Sequence, residues 1–412
     1  MNATTVVSTD LLTPLGAYLR LRGEQAEGRA FLLESVEHGR LGRHSFVGCG
    51  SRLVGFEEAE ALGEPVVGYL GYDHVAVLEP SVGLPHHGRD LPESRFVVAD
   101  ALVRFDHALG MAEVLCGDPG EVTALLDGER PDANGGVRGR RGSTRRLPSR
   151  HDYERSVARA KEHIRDGDAF QIVLSQRAER PTAATAIELY RSLRRVNPSP
   201  YLFLLELDGL ALIGSSPETL VKLEGTRASL NPIAGTTAPG DGDAERLLSS
   251  EKDRAEHVML VDLGRNDLSR VCAPGSVRVE RFLEPERFSH VTHLVSEVAG
   301  ELRPDQSPFD LLRACFPAGT VSGAPKVRAM QIVSELEGYR RGPYAGAVGY
   351  VLPDGTMDTC IAIRTIVLRE GAARLQAGAG IVADSDPEAE HRECLSKLAA
   401  LEAAIDLAEE GA

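Results

Sequence analysis

Cysteine is sparse and poorly placed for a crosslink or a metal. Cys49, Cys116, Cys272, Cys315, Cys360 and Cys394 stand far apart, with no pair at the two-residue spacing of zinc and redox motifs. They are expected to be reduced and mostly buried. No segment reaches about 18 uninterrupted apolar residues. Met1 to Leu12 carries neither a basic stretch before a hydrophobic run nor a small-residue cleavage site. The expectation is a soluble, cytoplasmic chain with no membrane partner. Cations are short as well: 46 Lys plus Arg against 61 Asp plus Glu leave a net charge of −15. That balance argues against nucleic acid as the main partner, so any anionic ligand must be met by positive groups concentrated locally. Internal repeats are missing too.

What is present is the composition of an ordinary globular protein, 42% hydrophobic and 26% charged over 412 residues. That length suits two or three domains, or one large α/β unit with a smaller companion. A glycine-rich and arginine-rich stretch, with arginines at 138, 140, 141, 145, 146 and 150, reads as a solvated linker, the other reading being an anion-binding segment. The boundary falls near Leu147, giving an N-terminal domain 1–147 and a second domain 148–412. Tyr153, Val157, Ala160 and Ile164 then mark one face of a helix, with Gly167 placed to end it. Strands are expected at Ala169 to Leu174, Leu202 to Leu207, Ala211 to Gly214, Ala345 to Leu352 and Cys360 to Leu368. Several are too continuously apolar to face water, which predicts large sheets covered by helices.

Asp386 and Pro387 signal the start of a final helix whose buried stripe is Cys394, Leu398, Leu401 and Ile405, with Glu390, Glu393 and Lys397 beside it. Before it, Gln376 to Ala383 fits a dinucleotide-binding glycine pattern, but Asp384 to Pro387 intervenes and only one helix remains. The segment reads either as a glycine loop offering amides to an anion or as a tight strand-to-helix turn. Gly319 to Lys326 lacks the glycine-lysine-hydroxyl core of a P-loop and keeps only hydroxyls and an ammonium suited to a carboxylate. Glu256 lies in an apolar helix after a Ser250-to-Asp253 cap, where a carboxylate needs a partner; Glu393 could share a divalent cation with it, or each could be an ordinary surface or salt-bridged residue. His293 sits in apolar surroundings as a core histidine or a base. Glu218 ends an apolar run as a turn carboxylate or a general acid at the mouth of a sheet.

Together these segments resemble the chorismate-utilising enzymes, most closely their anthranilate synthase branch (component I, the large subunit). The match is carried by Pro232 to Thr236, Ala255 to Asp267 (AEHVMLVDLGRND), Phe316 to Met330 (FPAGTVSGAPKVRAM), Gly342 to Tyr350, Met357 to Thr365 and Gln376 to Glu390. It continues more patchily through Leu32 to Ser35 and Val67 to Asp73. The resemblance implies an α+β fold with large sheets packed as a sandwich flanked by helices, and a smaller N-terminal α/β regulatory part. It implies chorismate as substrate and Mg²⁺ held by Glu256 and Glu393. Substrate would be bound by Gly235, Thr236, Thr320, Tyr344, Arg364, Lys397 and the backbone of Gly378, Ala379 and Gly380. Glu218 would protonate the departing C4 hydroxyl, and His293 would serve pyruvate elimination. Gln171 stands where water-adding relatives carry a lysine, and Ala234 where relatives that aminate C4 carry one, so the resemblance directs ammonia to C2. The product is anthranilate, or aminodeoxyisochorismate if elimination does not follow; a catalytically silent amino-acid-binding regulator is the third reading. Glu34, Ser35, Pro200, Tyr201 and Leu202 resemble a tryptophan-binding element. The interval from Gly48 to Val67 is shorter than in typical relatives, so the N-terminal part is expected to be trimmed. With no glutaminase before Ala412, ammonia from glutamine is expected to need a separate amidotransferase subunit, in a hetero-oligomer.

Overall fold

A computed structural model of the chain describes residues 6–23, 28–35, 43–88, 90–129, 142–237, 240–287 and 292–411. Two large sheets dominate it, and every strand-to-strand pairing within them is antiparallel. The larger has twelve strands among the described residues. From one edge they run Val6–Ser8, Met111–Cys116, Ala101–Asp106, His44–Cys49, Arg29–Glu34, Tyr201–Leu207, Leu210–Ser216, Thr365–Arg369, Ala372–Ile381, Gln171–Pro181 and Gly323–Ala324, with Arg145–Leu147 also on Gln171–Pro181. The smaller runs Ile233–Thr237, Thr292–Glu301, Arg227–Leu230, Thr219–Glu224, Met357–Ile361, Ala347–Val351, Val66–Leu70, Ser94–Val98 and Arg52–Val54, with Arg278–Arg287 also on Thr292–Glu301. Both sheets therefore draw strands from either side of residue 147.

Alternation along the strands builds the layers. Phe31, Phe203 and Leu205 face inward against Val67, Tyr69 and Val348 of the other sheet, while Leu32, Leu202 and Leu204 face outward beneath helices. On the outer face of the larger sheet lie Pro14–Arg22, Ala186–Val196 and Pro387–Glu409; on that of the smaller lie Phe56–Leu62, Glu251–Ser269 and Pro308–Cys315. The mixed α/β sandwich flanked by helices agrees with the expected class. None of the described helices is long and apolar enough to cross a membrane.

Local signals place most elements. The final helix starts where Asp386 accepts from the Ala389 amide at 2.9 Å, and it buries Cys394, Leu398, Leu401 and Ile405. Arg150–Arg165 is capped by Ser149, buries Tyr153, Val157 and Ala160, and stops before Gly167 at φ +84°. Three expectations need correction. Gln376 to Ile381 is neither loop nor turn but the end of a ten-residue strand on Gln171–Pro181. Cys360 to Leu368 is two strands in different sheets, Met357–Ile361 and Thr365–Arg369. The arginine stretch is partly a strand, and arginines 138, 140 and 141 lie outside the described residues. Arg145, Arg146 and Arg150 pair with the chain's own Glu179, Glu402 and Glu154.

Candidate active site

The chain passes from the larger to the smaller sheet between Leu210–Ser216 and Thr219–Glu224, and returns between Met357–Ile361 and Thr365–Arg369. Glu218 sits on the first crossing and Arg364 on the second. Backbone bonds lock the two crossings together, the Ile361 amide donating to the Glu218 carbonyl at 3.0 Å and the Ser215 amide to the Arg364 carbonyl at 3.1 Å. Arg364 adopts φ +49°, a conformation that a regular strand would not give it. Its guanidinium makes no hydrogen bond to the described residues, and burial lowers its pKa against the opposing pull of Glu218. Burial pushes the Glu218 carboxyl up to about 8, although the Thr320 hydroxyl and the charges of Lys397 and Arg364 act the other way. That hydroxyl is buried, and no group among the described residues completes a hydrogen bond to it.

Opposite lies the glycine strand. Its neighbour Thr365–Arg369 reaches only Leu375, so beyond that point one edge of residues 376–381 carries no partner strand among the described residues. Lys397, from the final helix, donates to the Gly378 carbonyl at 2.8 Å and to Glu393 at 2.7 Å. A methyl group at Gly378 would lie 2.8 Å from the Tyr344 hydroxyl, and one at Gly380 would lie 2.7 Å from the Gln171 amide nitrogen. The glycines thus leave room for two side chains to cross the strand. Gln171 uses that room to donate to Glu256 at 3.0 Å.

Gly235, at φ +71°, forms a bulge against Thr292–Glu301 and turns its carbonyl to His293 Nδ1 at 2.9 Å. A carbonyl only accepts, so Nδ1 carries the proton and the neutral ring keeps its lone pair on Nε2. Burial lowers the His293 pKa, which favours that neutral form. The side chain of Thr236 lies outside the described residues. Lys326, read from sequence as a possible anion ligand, is instead spent on Asp267 at 2.7 Å. Glu256 is bound to Gln171 and Glu393 to Lys397, each offering only oxygen donors, and the described residues hold no group of three or more His, Cys, Asp or Glu that could hold a metal ion.

A second cavity of about 310 Å³ opens between the sheets, bounded by Ser35, Tyr201 and Phe203 on one side and Lys222, Tyr350 and Asp358 on the other. Ser35 donates to the Pro200 carbonyl at 2.9 Å. Tyr201 Oη lies 2.7 Å from Thr219 Oγ1 and 3.1 Å from Asp358, whose carboxyl burial raises to about 6. Glu34 and Leu202 also border this space, but their side chains follow the strand alternation to the opposite face. There Leu202 joins the outer core, and Glu34 accepts from Tyr190 and pairs with Arg194 at 3.3 Å. Sequence reasoning missed a buried Glu337–Arg341 pair behind Tyr344, for which the four-residue spacing was the available signal.

A crossing of two sheets that sets a raised carboxyl beside a guanidinium with no hydrogen bond among the described residues, near the glycine strand, suits an anionic substrate that must be protonated, and the chain belongs to the chorismate binding enzymes, whose family pattern matches residues 49–403. Within that family it is 45% identical to anthranilate synthase component 1 of Streptomyces coelicolor, over 98% of this chain and 88% of that protein. It is 43% identical to the same component of Thermus thermophilus, over 98% and 97%. The crystal structure of anthranilate synthase component I from Streptococcus pneumoniae superposes with a TM-score of 0.81 at 33% identity, covering 97% of this chain and all of that one. A menaquinone-specific isochorismate synthase from Escherichia coli shares the fold, with a TM-score of 0.78 at 21% identity.

Proposed function

We propose that this chain is the chorismate-aminating component of an anthranilate synthase. The observation that carries the reading is Glu218, protonated up to about pH 8 and locked by backbone bonds beside Arg364. A carboxylate substrate is met by the Arg364 fork, by the Tyr344 hydroxyl and Lys397, and by the open backbone of Gly378 to Gly380. Gly235, Thr236 and Thr320 complete the wall. Glu218 gives its proton to the C4 hydroxyl, which leaves as water while ammonia adds at C2 and sheds a proton. Gln171, an amide, orients ammonia and cannot act as the base that would deprotonate water. Ala234 offers no amine to attack C2. His293 Nε2 then takes the C2 proton as the C3–O bond breaks, and the released enolpyruvyl group gains a proton to become pyruvate.

The donor set of Glu256 and Glu393 fits Mg²⁺, which prefers oxygen ligands and keeps several waters. Bound there, Mg²⁺ would supply positive charge to the ring carboxylate. In this structure the Gln171 amide and the Lys397 ammonium already hold the two carboxylates. The cavity between the sheets is proposed to take tryptophan as inhibitor, with Ser35 and the Pro200–Tyr201 wall contributing side chains and Glu34 and Leu202 contributing backbone. The relatives' designation as component 1 supports a second component, a glutamine amidotransferase that delivers ammonia in a hetero-oligomer. Residues 1–147 are proposed to serve regulation and 148–412 catalysis.

The chain given chorismate, Mg²⁺ and an ammonium salt is expected to release pyruvate and fluorescent anthranilate, and glutamine alone is expected to give nothing. A non-fluorescent amino diene formed without pyruvate would assign the aminodeoxyisochorismate activity instead. Isochorismate would overturn the reading of Gln171, and no turnover at all would leave a ligand-binding regulator.

A further inference from the structure

We infer that Arg341, held by Glu337, is a positioning residue for the chorismate site, tying together the segments that carry its binding groups. The guanidinium is almost fully enclosed, its side chain 1% exposed against 4% for Glu337. Glu337 receives Nε at 2.9 Å and Nη2 at 2.7 Å. Nη1 donates to the Val321 carbonyl and Nη2 to the Val173 carbonyl, each at 2.7 Å. Val321 follows Thr320, and Val173 lies two residues beyond Gln171 on the same strand. The guanidinium carbon also stands 5.6 Å from the centre of the Tyr344 ring and 4.7 Å from that of Tyr72.

Glu337 extends the connection to the glycine strand. It accepts from the Ser175 amide at 2.8 Å and hydroxyl at 2.7 Å, and that hydroxyl receives the Gln376 side chain at 2.7 Å. Gln376 is two residues from Gly378. The backbone at 341–342 is fixed in turn by Asp73, which accepts from the Arg341 amide at 3.1 Å and the Gly342 amide at 3.2 Å. One ion pair therefore reaches the segments bearing Gln171, Thr320, Tyr344 and Gly378, four groups from distant parts of the sequence. Only a planar fork with several donors makes these bonds at once; an ammonium cannot. Small displacements of substrate-holding groups reduce the rate of the bound complex rather than the amount bound.

The inference uses the proposed function only for its assay, because each variant is compared with wild type on whichever chorismate product appears. A wild-type chain that does not turn over chorismate would refute that function and not this role. Two variants are prepared: Arg341→Lys, which keeps the charge, and Glu337→Gln/Arg341→Met, which removes both charges and leaves no buried ion unpaired. Folded protein is counted by near-UV circular dichroism and gel filtration. Per folded molecule, kcat is expected to fall about 100-fold in both while KM for chorismate changes less than fivefold. A merely structural pair would lower the folded fraction and leave kcat per folded molecule unchanged. Wild-type kcat in either folded variant, or failure of both to fold, overturns the assignment.

Discussion

Replacing Glu218 with Gln keeps the shape of the side chain and its place beside Arg364 but removes the transferable proton. Turnover should drop by about 10²- to 10⁴-fold with chorismate binding retained, as measured by stopped pyruvate release and unchanged calorimetric affinity. The pH dependence follows from the same group. A general acid works only when protonated, so at fixed free ammonia the rate should hold below pH 8 and decline above it, as Glu218 ionises near 8. At fixed total ammonium salt, release of free ammonia raises the rate toward that point first, giving a maximum. The stability effect has a definite sign as well. A carboxyl raised in the folded state costs stability as pH climbs from its unfolded pKa toward 8, so Glu218→Gln should melt higher than wild type at pH 8 and alike at pH 4. Glu256→Ala and Glu393→Ala should each remove most turnover without unfolding the chain. Wild-type rate and Mg²⁺ dependence in either variant would place that residue outside the metal site.

Elements explain which parts of this site were legible in the sequence. The final helix was readable because its signals are local: Asp386 caps it, Pro387 opens it, and the apolar stripe repeats at helical spacing. The strand at 376–381 was not, because glycine and alanine carry no alternation, and its pairing partner Gln171–Pro181 lies about 200 residues earlier. Nor does an apolar run reveal where a chain changes sheets, so Cys360 to Leu368 looked like one strand although its break creates the Arg364 corner. Glu34 and Leu202 were assigned by resemblance to one pocket, yet the two-residue period of their strands sends both side chains to the other face. The glycine strand itself is testable. Gly378 and Gly380 have ordinary backbone angles, so alanine there meets only a space problem. Gly378→Ala should press on the Tyr344 hydroxyl and on the Leu174 carbonyl at 3.0 Å, lowering kcat/KM for chorismate about tenfold or more. Gly380→Ala meets the movable end of Gln171 and should cost less, which steady-state kinetics on the pair would resolve.

For the whole molecule, the Glu218 site and the cavity between the sheets meet at Thr219, which follows Glu218 in the chain and bonds to Tyr201. Tryptophan is expected to inhibit between micromolar and millimolar, roughly −8 to −4 kcal/mol of binding. If the sites are coupled, chorismate must weaken tryptophan by the same factor as tryptophan weakens chorismate, which paired calorimetric titrations measure. No binding at millimolar tryptophan would show that the cavity serves another purpose. The shared sheets have a further consequence, for how the chain is made. Arg29–Glu34 needs Tyr201–Leu207 beside it, and Val66–Leu70 needs Ala347–Val351. During synthesis at about 5–20 residues per second, Val66–Leu70 waits roughly 280 residues, some tens of seconds, for that neighbour. The early strands can pair with one another, but the edge of each that awaits a late neighbour stays open on the ribosome through much of translation, exposed to other nascent chains. Yield of active protein should therefore respond to growth temperature and chaperone supply more steeply than the melting temperature of the finished enzyme suggests.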